Sequence, residues 1–173
     1  STNTGFAPPS QGAKVSSTGT WGAATFTQSV SALPGGAQIF FKAFALNGAG
    51  TNYTSELSFW TEPSTQAAAV AFAGVGPRGM TINWKPGSGN GTLLVMRKAA
   101  DVNQTPVDGV QHVADTYFGG GEDLGGTNCV VYRGSATNMT VTNLTPQTVY
   151  YVAAFAYAGS GAGIGGINYQ QDV

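Results

Sequence analysis

Apolar side chains recur at every second position along most of this chain, and glycine or proline closes the runs that carry them. In residues 80–84, Met80, Ile82 and Trp84 alternate with Thr81 and Asn83, the pattern of a strand with one buried face. Residues 25–33 (TFTQSVSAL) and 138–144 (NMTVTNL) repeat the two-residue period. Residues 92–98 (TLLVMRK) and 128–134 (NCVVYRG) are more continuously apolar, which predicts central strands covered on both sides. No window sustains the spacing of an amphipathic helix. The alanine-rich stretch 65–74 reads as a first strand, from its Val70/Phe72 alternation and closing Gly74. Gly-rich turns at 76–79, 85–91, 119–126 and 158–166 separate the runs. Short strands joined this way predict an all-β antiparallel sandwich.

Charge is sparse. Only 9% of the 173 residues are charged and the net charge is −1, against about 25% charged residues in typical soluble domains. Without clustered Lys and Arg there is nothing to neutralise phosphates, so nucleic acid is not an expected partner. No apolar run approaches the roughly 20 residues needed to cross a bilayer, and membrane insertion is not expected. From Gly134 to Gln171 no side chain is charged. Thr, Asn, Gln and Ser carry the polarity there, a composition common in secreted β proteins, so an extracellular or cell-surface location is expected.

A phrase is repeated. Residues 32–50 (ALPGGAQIFFKAFALNGAG) match 143–161 at a constant offset of 111, through Leu33/Leu144, Ala43/Ala154, Phe44/Phe155, Ala45/Ala156, Gly48/Gly159 and Gly50/Gly161. Pro63 lies in a polar stretch, 61–66 (TEPSTQ), which reads as an exposed joint between two units, 1–62 and 63–173. The second copy of the phrase has a whole domain's worth of chain before it, and the first does not.

The stretch 144–161 resembles the corner and following strand of fibronectin type III domains, through the alternation of Leu144, Pro146, Thr148, Tyr150, Val152 and Ala154. The resemblance spans 67–169. With "VDG" (107–109), "FGGG" (118–121) and "VVYRG" (130–134) in that order, it is similar to the version found in large secreted or cell-surface proteins of Bacteroidota. It implies that Tyr150 is a corner tyrosine tied back to the preceding turn, beside Leu144 and Pro146, and that Trp84 is a core tryptophan. Residues 1–62 resemble only the back half of such a domain, with Ile39 at the corner tyrosine's place. The implied fold is therefore a tandem of fibronectin type III-like, immunoglobulin-like β-sandwiches. The first is incomplete, and the second has a truncated last strand. The chain is expected to be cut from a longer array at both ends. An unfinished first unit would leave Phe26, Val30, Phe41, Phe44 and Phe59 in water; at roughly 1.5 to 3 kcal/mol each this is on the order of 10 kcal/mol, comparable to a domain's stability.

Candidates for chemistry are few. His112 is the single histidine and, alternating with Val110, reads as an exposed strand residue, so no catalytic triad or two-histidine metal site is expected. Asp108, Asp115, Glu122 and Asp123 lack the oxygen spacing of a calcium loop and read as solvated loop residues. The lone Cys129 reads as a buried small hydrophobe, with an interchain disulfide or reactive thiol as the alternative. The glycine clusters 87–91 and 161–168 do not open a helix, which argues against a nucleotide. Trp21, Trp60, Tyr53, Tyr117 and Tyr169 are candidate exposed aromatics for stacking on surface glycans. Asn52, Asn90, Asn103, Asn138 and Asn143 each begin an N-x-[ST] triplet and are candidate glycosylation sites. No cofactor is expected.

These features lead to the expectation of a non-enzymatic extracellular repeat module, a spacer or adhesive segment of a large secreted or surface protein. Neighbouring repeats or subunits of the same protein would be its partners. Two alternatives stand beside it: a subunit of an extracellular filament completed by strands of its neighbours, and an accessory module of a secreted polysaccharide-degrading enzyme.

Overall fold

The computed structural model describes every residue other than 9, 20, 21, 23, 24, 162, 164, 172 and 173. Among the described residues there is no helix. Eleven strands follow in order: β1 (Gln38–Phe41), β2 (Phe44–Asn47), β3 (Gly50–Tyr53), β4 (Leu57–Trp60), β5 (Ala68–Ala73), β6 (Gly79–Lys85), β7 (Gly91–Lys98), β8 (Cys129–Gly134), β9 (Asn138–Thr142), β10 (Tyr150–Ala158) and β11 (Asn168–Tyr169).

From β5 onward the strands make an antiparallel sandwich. One sheet has the order β5-β6-β9 and the other β11-β10-β7-β8. The alternation of β6 turns Met80, Ile82 and Trp84 inward, where they meet Met139 and Val141 of β9, Leu94 and Met96 of β7, Val131 and Ala154. The alternate residues of β7 and β10 face a second core on the outer side of the larger sheet, where Leu93, Val95, Val130, Phe155 and Tyr157 pack with Ile167 and Tyr169. The long connection 99–128 covers that outer face, through Val102, Ala114 and Leu124. This explains the unbroken apolar run of β7, since both of its faces are buried. Strand β8 is covered as well, but it lies at the sheet edge and not in the centre. The connection closes that edge: the Val130 amide donates to the Glu122 carbonyl at 2.8 Å, and the Asp115 amide donates to the Val130 carbonyl at 3.3 Å.

Strand β5 carries a bulge between Ala68 and Ala71. The expected pairing of Val70 with Phe72 on one buried face does not follow: Val70 packs on the core, whereas Phe72, on the sheet's edge strand, stays 49% exposed.

Residues 1–62 form two separate two-stranded ladders, β1 with β4 and β2 with β3. The strand expected at 25–33 is absent, and every described residue from 10 to 33 is exposed, including Phe26 (60%) and Val30 (53%). A strand needs a neighbour to accept its ladder bonds and cover its apolar face, and among the described residues no ladder forms at this segment. The N-terminal segment is held differently. Phe6 is buried with the Lys42 ammonium 5.1 Å from its ring centre, and the Glu56 carboxylate accepts from the Gly5 amide and the Thr4 hydroxyl at 3.0 Å. The Gly5 amide is the main reason the Glu56 carboxyl lies below its ordinary value.

The stretch 61–66 is exposed at Glu62, Ser64 and Thr65, as expected, but it is anchored at its centre. Pro63 is buried, the Gly36 amide donates to the Glu62 carbonyl at 2.8 Å, and the Gln170 side-chain amide donates to the Pro63 carbonyl at 3.1 Å. The Trp60 amide donates to the Gly165 carbonyl (3.1 Å), and the Trp60 indole lies against Gly159, where a β-carbon would come within 2.7 Å of the ring. Gly159 also has φ 90°, so two independent constraints select glycine there.

Candidate functional site

The corner residues come together where β9 hands over to β10. Leu144 is buried and its amide donates to the Arg78 carbonyl, while Pro146 is exposed in the turn. The Tyr150 hydroxyl accepts from the Thr145 amide at 2.8 Å, and the Tyr150 ring meets Phe118 edge-on at 5.1 Å. Trp84 sits away from this corner, in the inter-sheet core, 4.9 Å from the Tyr132 ring, and its indole N–H is buried with no hydrogen-bond partner among the described residues.

His112 differs from expectation. It is buried, in no strand, and its flanking Val110 and Val113 are the exposed residues. The Val107 amide donates to Nε2 at 3.1 Å, which leaves the ring proton on Nδ1 to donate to the Glu122 Oε1 at 3.0 Å. The other Glu122 oxygen accepts from the Val113 amide. Burial lifts the Glu122 carboxyl, but the Val113 amide and the His112 ring outweigh it and hold the group below its ordinary value. The alternation misled because the connection here runs as irregular loop over the outer core, where no two-residue rule applies.

The remaining acidic residues are likewise engaged with backbone. Asp108 accepts from the Tyr169 amide (2.7 Å), Asp115 from the Tyr117 amide (2.8 Å), and Asp123 from the Gly125 and Thr127 amides. Among the described residues no three His, Cys, Asp or Glu gather as a metal site. The "VDG" stretch now has a physical account. Val107 ties the connection to itself through His112, while Asp108 accepts from the Tyr169 amide and the Gly109 amide donates to the Ile167 carbonyl, so two of the three residues pin the connection to the segment of the last strand. Cys129 is buried, and that burial, helped by Asp123, raises its thiol pKa. Asn128, fully buried and bonded to Asn103 and the Gly125 carbonyl, had no signal in the sequence.

The aromatic candidates are dispersed. Tyr169 is fully buried, contrary to expectation, with its hydroxyl donating to the Val110 carbonyl, and burial pushes its pKa up to about 12. Trp60 lies at the joint, Tyr53 packs on Phe44 at 5.9 Å, Tyr117 is exposed on the connection, and Trp21 lies outside the described residues. Of the triplet asparagines, Asn52 and Asn138 are exposed on β3 and β9. The other three use their side chains: Asn90 accepts from the Gly159 amide, Asn103 from Asn128, and Asn143 donates to the Phe118 carbonyl.

The surface that stands out is in the first unit. Phe41, Leu46, Tyr53 and Leu57 are exposed on its four strands, with Val30 and Leu33 beside them in sequence. Strand β1 pairs with β4 on one side only. On its other edge, among the described residues, only Ser1 is seated: its terminal ammonium donates to the Phe40 carbonyl at 3.0 Å and the Phe40 amide donates to the Ser1 carbonyl at 2.7 Å.

Three strands facing four, all antiparallel, with a tyrosine tied across the corner, define the class as an immunoglobulin-like sandwich of the fibronectin type III kind. Among solved structures, the chain is similar to a fibronectin type III domain of human collagen XX (19% identity, TM-score 0.33, covering 64% of this chain and 90% of that one). It is also similar to the FN1–FN3 domains of chicken CNTN1 (13%, 0.40, 80% of this chain and 43% of that one) and domains d3–d4 of the rat CD45 extracellular region (11%, 0.38, 98% and 83%). No protein-family model and no curated protein matches the sequence.

Proposed function

We propose that the chain is a non-enzymatic, extracellular segment of a large secreted or cell-surface protein, in which sandwich units in series act as spacer or adhesive length. The observation that carries this reading is the set of large apolar side chains left exposed in residues 1–62, joined to the sandwich of β5–β11 through the buried Pro63. Leu46 (68% exposed), Leu57 (58%) and Val30 (53%) all belong to it, and large apolar side chains left in water in such number suit contact with other polypeptide. The joint favours rigid length, because Trp60, Pro63 and Gln170 tie the two units through side chain and backbone together. The single histidine and the acidic side chains bond loop backbone, which supports a structural role over a catalytic one. The test is the complete reading frame together with native material: flanking sandwich repeats are expected, and a lone secreted polypeptide of this size would overturn the reading.

A second reading, a filament subunit completed by a neighbour's strand, is favoured by the open edge of β1. Charge-free edges elsewhere favour it less. The edge of β9 is already capped, because the Thr142 carbonyl accepts from the Phe118 amide and the Thr142 amide donates to the Thr116 carbonyl. Electron microscopy of native material separates the two readings: ordered polymers with intermolecular sheet support the filament, and monodisperse particles exclude it.

A further inference from the structure

The chain carries its own template for what covers the first unit. In the second unit β10 lies antiparallel to β7, with Tyr151 opposite Arg97, Val152 opposite Met96, Ala154 opposite Leu94 and Phe155 opposite Leu93. The offset of 111 carries these β10 positions onto Phe40, Phe41, Ala43 and Phe44. Ser1 exchanges both hydrogen bonds with Phe40, the mark of a directly opposed antiparallel pair, so it stands where Arg97 stands in the second unit. Its direction is that of β7.

We infer that the open edge of β1 and β2 is the seat of an added antiparallel strand, apolar on both faces like β7, which enters it in line with Ser1 and brings two covering strands like β5 and β6. This rests on the reading of residues 1–62 as an unfinished unit. The register is set by the Ser1–Phe40 pair, which places the residue before Ser1 opposite Phe41 and the fourth residue before it opposite Phe44. A second copy of this chain is a poor donor: its one set of β5, β6 and β7 is engaged with its own β9, β10 and β8, and lending it would uncover as much apolar surface as it covers. The occupant is therefore a further strand set of the same chemistry, its incoming strand lined up with Ser1.

The experiment joins a copy of residues 67–96 directly to Ser1 of the full chain and follows backbone amide exchange residue by residue. Thr54 donates to the Ala43 carbonyl, so Ala43 faces β3 and, by the alternation of a ladder, the amides of Phe44 and Leu46 face the open edge. Those two amides are expected to exchange about 100-fold more slowly in the fusion. A second fusion with one glycine inserted at the junction turns every grafted side chain to the wrong face and is expected to lose that slowing. A shorter graft of residues 91–96, which adds the edge strand alone, is expected to slow the same amides about tenfold. If no graft slows them while the amides of β7 and β10 stay unchanged, the seat is wrong. Equal slowing with and without the inserted glycine overturns the register. If the unfused chain already protects Phe44 and Leu46 and binds no apolar dye, the first unit is complete by itself, and it is the underlying reading that fails.

Discussion

One phrase of sequence takes two forms in this molecule. At 150–158 it is a single nine-residue strand, β10, buried on both faces over most of its length. At 38–47 it is two four-residue strands, β1 and β2, broken at Lys42–Ala43, with Ile39 alone buried and Phe41 and Ala45 to Asn47 exposed. The matched residues Ala43, Phe44 and Ala45 are identical to Ala154, Phe155 and Ala156. The difference is the neighbour: β10 has β7 beside it from Tyr150 to Tyr157 and a core on either side, while among the described residues β1 has only Ser1 on its open edge. Local sequence sets which residues alternate; continuous strand needs a partner to hold it.

The sharpest way to break this comparison is to delete the same ring twice. Phe155→Ala, in the outer core, is expected to destabilise the second unit by about 3–5 kcal/mol in chemical denaturation, whereas Phe44→Ala, half-buried against Tyr53, is expected to cost under about 1 kcal/mol. Comparable losses would mean that the first unit is packed like the second. Next in size is the response to alkali. Tyr169 has its pKa raised from 10 to about 12, so its contribution is full below pH 10 and is lost as pH rises toward 12. At about 1.4 kcal/mol per unit this is on the order of 2–3 kcal/mol. Amides of the outer core are expected to open in that window, and Tyr169→Phe is expected to remove the alkaline step.

A smaller effect is expected at the corner. Tyr150→Phe removes the acceptor of the Thr145 amide and is expected to cost about 1 kcal/mol in the second unit's unfolding. The first unit has Ile39 at that place, buried and without a hydroxyl, so Ile39→Val there is expected to leave the second unit's transition unmoved. The smallest effect belongs to Glu56. Its lowered pKa means that its contribution is present above about 4.5 and lost as pH falls through the folded value, so the Gly5 amide is expected to exchange faster in acid, and Glu56→Gln is expected to show that faster exchange already at neutral pH.

Much of the second unit was legible. The alternation of Met80, Ile82 and Trp84 placed β6 with its correct buried face, and the double-sided burial of β7 followed from its unbroken apolar run. The errors have one cause. His112 and Tyr169 read as exposed in sequence, and the burial of Pro63 within the otherwise open stretch 61–66 is not visible there, because in each case the cover comes from a segment remote in sequence: the connection 99–128 folds over the larger sheet, and Gly36 and Gln170 close on the linker. The strand expected at 25–33 had a sound local pattern and no ladder partner.

By itself, the sequence determined the class of structure: a two-residue period broken by glycine and proline excludes helices, fixes antiparallel strands and marks the repeated phrase as one structural unit met twice. Tertiary structure alone decided which copy of that phrase becomes a continuous strand and which side chains are sheltered. Alternation is a property of neighbouring residues, whereas burial and ladder closure depend on chain that arrives from far away, and only the second copy receives it.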